Sequence, residues 1–383
     1  MTWLGSEQKL PLQSDPASAL IFRELEAPTL PELEDLYASL AAPVLTPFQT
    51  PQFLHALQET QCKPGEAALS VIRFSEAEGN GAPLMLLPLV RNRRGPLRVI
   101  SLPDFGLADQ NAPVISSAVQ APRVSLSDAV DAYFSMQEDA DLVDVNKLHP
   151  HVGKMDNPLY SQAGCVPESK TLTIDLQAGA GETDWRRKSV YKKARSKFRK
   201  LAELGVDVSE ASTPEERLAL FSALAAQRKK RFYQLGRVDS LQRAERTAFY
   251  RCLAGLQMAD TPYTGLALKQ GGDIVAAMVL LRAGDQATGV LVSIGDEQWH
   301  GYSPGMVLFA KAIDWAIDNG LRWFAFGTGE QDYKQRFGGC PQETRRLLKP
   351  LSARGRLFLR ARDAHHTAQE LFQIALGRNK ASA

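Results

Sequence analysis

Apolar positions alternate with polar ones, or run unbroken over short spans, in two stretches of the chain that predict one order of elements. In the first, Ala68 to Phe74 predicts a strand, Glu76 to Gly81 a polar turn, and Leu84 to Val90 the next strand. Leu97 to Leu102 follows as a third strand, Ser127 to Glu138 as a helix, and Leu142 to Val145 as a short closing strand. In the second, Tyr263 to Lys269 and Ile274 to Leu281 flank a Gln-Gly-Gly-Asp hairpin turn at Gln270 to Asp273. Gln286 to Ile294 continues the meander, Pro304 to Asn319 predicts a helix, and Trp323 to Phe326 a returning strand. The residues of the two stretches are not recognisably alike, but strand, strand, strand, helix, strand occurs in both.

The helix from Pro304 is the best defined. Ser303 is placed to cap it, Pro304 suits its first position, and Gly320 ends it after Asn319. Its apolar members Val307, Leu308, Ala312, Trp315 and Ala316 fall on one face. Helical patterns also cover Trp185 to Leu204 and Glu215 to Gly236, with a turn at Gly205 to Pro214. A last helix carries Leu357, Phe358, Leu371, Phe372 and Leu376.

With 383 residues there is room for two domains, each with its own core. We expect an N-terminal unit over 1–165, a second over 166–350 that includes the basic helical region 185–236, and an amphipathic tail over 351–383. Hydrophobic content of 44% and charged content of 23% exclude a largely disordered chain. Met1 to Leu10 has no basic stretch leading into an apolar run, and no segment approaches about 18 uninterrupted apolar residues, so a cytoplasmic protein is expected. The four cysteines stand singly, which suggests free thiols. His149 and His151 lack a third ligand at metal spacing, so no metal is expected. Net charge is only +2, yet Arg186 to Lys200 holds nine basic residues and no acidic one, and Arg228 to Arg231 adds a second cluster.

Two segments carry candidate chemistry. From Val290 to Met306 an apolar strand gives way to a polar loop and then to a helix with Gly305 in its first turn. Free N–H groups at such a helix start form an anion site, and Gly305 leaves room for a phosphate, although a plain helix cap has the same sequence. From Phe326 to Gly339 a strand ends in alternate glycines and then presents Glu330, Asp332, Tyr333, Lys334 and Arg336 within seven residues. Loops so sharply turned and so polar usually bind something.

The run Gly301-Tyr302-Ser303-Pro304-Gly305, the helix behind it, and Gly329-Glu330-Gln331-Asp332-Tyr333-Lys334-Gln335-Arg336-Phe337-Gly338 resemble the GNAT-type acetyltransferases of bacterial cellulose and exopolysaccharide synthesis. This is the CelD/BcsL group, with similar holdfast-polysaccharide enzymes, and it is related to the FemAB peptidoglycan ligases. Pro47-Phe48-Gln49-Thr50-Pro51 and Asp109-Gln110-Asn111-Ala112-Pro113 extend the resemblance into the first half, so that it covers roughly 45–345. The group usually shows Gly-Asp-Glu-Pro-Tyr-Lys where this chain has Gly-Glu-Gln-Asp-Tyr-Lys, a departure at Gln331 that bears on any mechanism needing a carboxylate there.

The resemblance implies an α/β (α+β) fold of two tandem GNAT-like domains, each a mixed, mainly antiparallel sheet flanked by helices. It implies acetyl-CoA as co-substrate, with pantetheine beside Val292, Ser293 and Ile294 and pyrophosphate on the amides around Tyr302, Ser303, Gly305 and Met306. Glu330 is the first candidate base and Asp332 the second, although Glu330 paired with Arg336 or Lys334 would equally hold the loop. Tyr333 would serve the departing sulfur or merely pack, Lys334 would touch the acyl group, and Arg336 would bind phosphate or a polarised carbonyl. Asp109 and Asn111 would bind the acceptor.

The leading expectation is acetyl-CoA-dependent N-acetylation of an amino sugar in an exopolysaccharide precursor. The alternatives are Fem-like transfer from aminoacyl-tRNA to a peptidoglycan precursor, and a catalytically idle relative that binds a ligand or partner. The basic helix reads first as a solvated face, next as attraction to an anionic glycan or the inner membrane surface, and last as an RNA contact. No aromatics are interleaved there for stacking, so nucleic acid is not expected. Arg354, Arg356, Arg360 and Arg362 near the C-terminus raise a cyclic dinucleotide as a regulator.

Overall fold

A computed structural model describes residues 4–10, 20–76, 83–118, 125–178, 185–257, 261–329 and 332–364. Its first half runs β1 (Leu4–Lys9), β2 (Leu20–Glu26), α1 (Leu30–Ala38), β3 (Pro43–Val44), α2 (Pro51–Gln61), β4 (Ala67–Glu76), β5 (Pro83–Arg94), β6 (Leu97–Ser101), β7 (Val114–Ser116), α3 (Leu126–Ser135) and β8 (Leu142–Leu148). A small hairpin, β9 (His151–Val152) and β10 (Met155–Asp156), leads to β11 (Cys165–Asp175). The second half runs α4 (Ser189–Glu203), β12 (Val206–Ala211), α5 (Pro214–Gln234), α6 (Ala244–Ala254), β13 (Tyr263–Gln270), β14 (Asp273–Ala283), β15 (Gln286–Ile294), α7 (Pro304–Asp318), β16 (Trp323–Thr328), α8 (Asp332–Arg336) and β17 (Cys340–Pro350).

The repeated order expected from the sequence is present and longer than expected. Each half has a strand, two helices, a three-stranded antiparallel meander, a crossover helix and a strand parallel to the last of the meander. β6 pairs in parallel with β8, and β15 with β16. All lie in one mixed, mainly antiparallel sheet flanked by helices. Its two central strands are exchanged: β11, which follows the first half, lies beside β16, and β17, which follows the second, lies beside β8. Asp144 on β8 holds this junction, accepting from Nε and Nη2 of Arg346 on β17, each at 2.7 Å, and pairing with Arg94 on β5.

Three local expectations are corrected. Residues 206–211, expected within a turn, form the edge strand β12, because Val206 and Ala211 have a core to enter once β13 is beside them. In the helix over 353–364 Leu357 and Phe358 are exposed, and Leu359 is the large apolar residue that packs inward, against Leu97, Val99 and Leu142. Ser303 does not cap α7: it sits in the left-handed region at φ +53° and makes no side-chain capping bond. Leu371, Phe372, Leu376 and the tip of the first hairpin turn lie outside the described residues.

Candidate functional site

β15 and β16 are paired only from Gln286–Trp323 to Thr288–Ala325, and beyond that they diverge. Between Val279 and Leu280 the register of β14 on β15 also shifts, a bulge that bends β15 away. The result is a strand edge without a strand partner over Val290 to Ile294. In an extended strand the N–H and C=O of one residue share an edge. The Val292 carbonyl accepts from Nη1 of Arg228 at 3.1 Å, so the Val292 N–H points to the same open side.

A cavity of about 530 Å³ lies against this edge. Val292, Ser293 and Ile294 form one wall, and Ser303, Gly305, Met306 and Phe309 of the α7 start form a second. Tyr333, Arg336 and Phe337 come from α8 and its end, Arg228, Arg231 and Phe232 from α5, and Val190 from α4. Two segments separated in sequence thus share one cavity. Gly305 lets α7 pack close on β15: a Cβ there would lie 3.0 Å from Ile294 Cδ1, so the Ile294 side chain would have to shift to admit it. With Pro304 lacking an N–H and Ser303 not capping, the donors of Gly305 and Met306 stay uncapped at the positive end of a 15-residue helix. Arg231 and Arg336 bring two exposed guanidinium groups with no partner among the described residues. An anionic ligand fits this wall.

α5 fixes the cavity wall. Arg228 forks onto Asp239 at 3.0 and 2.8 Å while holding the Val292 carbonyl, and Gln227 takes Ser293 Oγ at 2.7 Å and donates to the Ile274 carbonyl at 2.6 Å. Sequence reading saw Arg228 and Arg231 only as a charge cluster. No short-range spacing relates them to β15.

The other site candidates separate. Tyr333 lines the cavity at 38% exposed, its ring 5.3 Å from that of Phe309, and burial raises its phenol above the ordinary range. Lys334, on the next residue, points elsewhere: it is 2% exposed, and its Nζ donates to the carbonyls of Thr328 at 2.6 Å, Gly329 at 3.0 Å and Gly327 at 3.3 Å. Burial lowers it to about 8 against the attraction of Asp109. It therefore clamps the end of β16, outside the cavity lining. Asp332 is exposed at the start of α8. Tyr302 does not line the cavity but packs beside Trp299, with ring centroids 6.3 Å apart. Glu330 and Gln331 lie outside the described residues.

From the first half, Asp109 reaches the same strand end. A Cβ on Gly327 would lie 2.7 Å from Asp109 Oδ2 and 3.2 Å from the Gly289 carbonyl, which places the carboxylate where β15 and β16 part. Burial pushes its carboxyl up, against the pull of Lys147, a hydrogen bond with Thr328, and Lys334. Asn111 is buried instead in the first half, donating to the carbonyl and Oδ1 of Asn146 at 3.0 and 2.9 Å.

Comparison with known proteins agrees with this architecture. An acetyltransferase (GNAT) domain model matches residues 187–335, the stretch from the start of α4 to α8. Among solved structures the chain is similar to FemX, at 10% identity and TM-score 0.54, over 84% of this chain and 96% of that one. It is also similar to a conserved protein of unknown function from Bacteroides thetaiotaomicron VPI-5482, at 11% identity and TM-score 0.51, over 84% and 98%. L-PGS from Bacillus licheniformis follows at 14% identity and TM-score 0.50, over 86% and 94%. At these identities the likeness is one of fold. Comparison with curated protein sequences gives no significant match. The open parallel pair, the anion-ready helix start and the matched domain define the class, a GNAT-fold acyltransferase.

Proposed function

We propose that the chain transfers an acetyl group from acetyl-CoA to the amine of an amino sugar in an exopolysaccharide precursor, as the resemblance to the CelD/BcsL group suggests. The observation that carries the donor assignment is the cavity, in which an open strand edge, uncapped helix N–H groups and two guanidinium groups without a partner among the described residues face one space. Pyrophosphate would sit on the N–H groups of Gly305 and Met306 between Arg231 and Arg336, and pantetheine would run along Val292 to Ile294. The thioester carbonyl would take the Val292 N–H.

Of the carboxylates described, Asp109 is the one suited to accept the amine proton, because it stands at the parting of β15 and β16 with a raised pKa. The amine nitrogen then attacks the thioester carbon, the C–S bond breaks, and the thiolate takes the Tyr333 hydroxyl proton as it leaves. Lys334 acts as a positioning residue for the loop that carries Tyr333, and Glu330, the first candidate base on sequence, lies outside the described residues.

A second reading has support from the exposed Lys192, Lys193, Arg195, Arg199 and Lys200 on α4, the helix that also supplies Val190 to the cavity. This surface suits a donor richer in phosphate, such as aminoacyl-tRNA. Thermal melting with coenzyme A, followed by thiol release from acetyl-CoA with amino sugars, separates the two. A rise in melting temperature with amine-dependent thiol release supports the proposal. No shift at millimolar coenzyme A together with turnover only on charged tRNA would replace it by the second reading. Among the described residues no helix is long and apolar enough to cross a membrane.

A further inference from the structure

Three of the four most exposed large apolar side chains among the described residues cluster at one point. Tyr233 is 87%, Leu235 53% and Val238 93% exposed, at the end of α5 and in the turn after it. From Arg217 to Val238 there are six basic residues and no acidic one, and Lys229, Lys230, Arg231 and Arg237 are exposed beside the apolar three.

The turn is built rather than frayed. Gly236 takes φ +62°, its N–H donates to the Tyr233 carbonyl at 3.0 Å, and the Arg237 N–H returns to the Phe232 carbonyl at 2.9 Å. At its base Asp239 is buried, gripped by Arg228 and bonded to the Leu241 N–H at 3.1 Å. Hydrogen bonds therefore hold three apolar side chains out in water, where each forgoes the gain of burial. A self-contained surface has no use for that arrangement.

We infer that this turn docks the protein on an anionic lipid bilayer, with Tyr233, Leu235 and Val238 entering the interface and Lys229 and Arg237 meeting the headgroups. Charge complementarity selects the occupant: a cationic ring around a small apolar tip matches anionic headgroups over a hydrocarbon layer. Phe232 and Arg231 line the donor cavity, so docking sets the cavity mouth beside the membrane surface. The inference does not depend on which acyl donor the cavity takes.

Co-sedimentation of the full chain with phosphatidylcholine vesicles, with and without phosphatidylglycerol, tests it. We expect binding only with phosphatidylglycerol, reduced at least tenfold in Tyr233→Ser/Leu235→Ser/Val238→Ser and likewise in Lys229→Glu/Arg237→Glu, with melting temperatures unchanged. Absence of binding by the wild type overturns the inference. So does full binding by the serine triple variant, which would leave a purely electrostatic contact. Binding to a structured RNA that falls in the triple variant while vesicle binding does not would assign the turn to nucleic acid instead.

Discussion

The two halves share one topology and differ in what fills the opening beyond their parallel strand pair. In the second half β15 and β16 diverge after Thr288 and leave a cavity. In the first, β6 and β8 pair through Val99–Leu142 and Ile100–Val143, and the chain leaving β6 then returns so that Asn111 bridges Leu148 in parallel. Asn111 is locked there by Asn146, and the Asn157 amide donates to the His149 carbonyl at 3.0 Å behind it. The first half is thus plugged by its own loop 102–113, and the same loop carries Asp109 across to the open half. One copy of the topology offers a site, and the other is spent on building that site's far wall.

The largest expected effect tests that crossing. Asp109→Asn should lower kcat by about a thousandfold, within the range of a removed general base, while the melting shift with coenzyme A stays intact. In the wild type, activity should rise with pH as Asp109 ionises above the ordinary carboxylate range, and this limb should vanish in the variant. Tyr333, raised by burial, stays protonated over the same interval and adds no acidic limb. Equal turnover by Asp109→Asn would make the first half a scaffold only.

The segment behind the plug, just after β8, should also be acid-sensitive. Burial lowers His149 to about 4 from an ordinary 6.5, and neither ring nitrogen has a hydrogen-bond partner among the described residues. Between those values the unfolded chain binds a proton that the folded one refuses, so stability is fully present above 6.5 and lost as pH falls toward 4. The loss amounts to about 3 kcal/mol. Urea titrations across this window should show that part of the acid loss removed in His149→Gln. An unchanged profile would place the acid sensitivity elsewhere.

What the sequence disclosed follows from the range of the forces involved. Hydrophobic period and Gly-Gly turns act over a few residues, so the meanders, α3 and α7 were legible, as was the clustering of β15, the α7 start and α8 chemistry that the family resemblance supplied. The exchange of β11 and β17 is a pairing between distant segments, and no local pattern encodes it. The contrast between Tyr333 and Lys334 was also hidden: adjacent residues in a polar loop, one faces the cavity and the other turns onto three carbonyls, which only the folded backbone of Gly327 to Gly329 decides. Arg228 was read as charge because its partner, the Val292 carbonyl on β15, is more than sixty residues away.

A smaller effect probes the open half directly. Gly305→Val places a branched side chain between α7 and Ile294, where even a Cβ has only 3.0 Å. Coenzyme A should bind at least tenfold more weakly, about 1.4 kcal/mol, by calorimetry. Undiminished affinity would move the donor away from the α7 start.

The smallest effect compares the crossover helices themselves. α3 begins at Ser125, whose Oγ accepts from the Asp128 N–H at 3.3 Å, whereas the corresponding Ser303 of α7 is left-handed and accepts nothing from its helix. Ser125→Ala should therefore cost about 1 kcal/mol of stability in urea titration, the usual value of a lost cap. Ser303→Ala should cost less than about 0.5 kcal/mol, as for a side chain that makes no capping bond. If Ser303→Ala costs as much as Ser125→Ala, the start of α7 is capped in solution. Its N–H groups are then not free for a phosphate, and the contrast between a closed and an open half loses its electrostatic part.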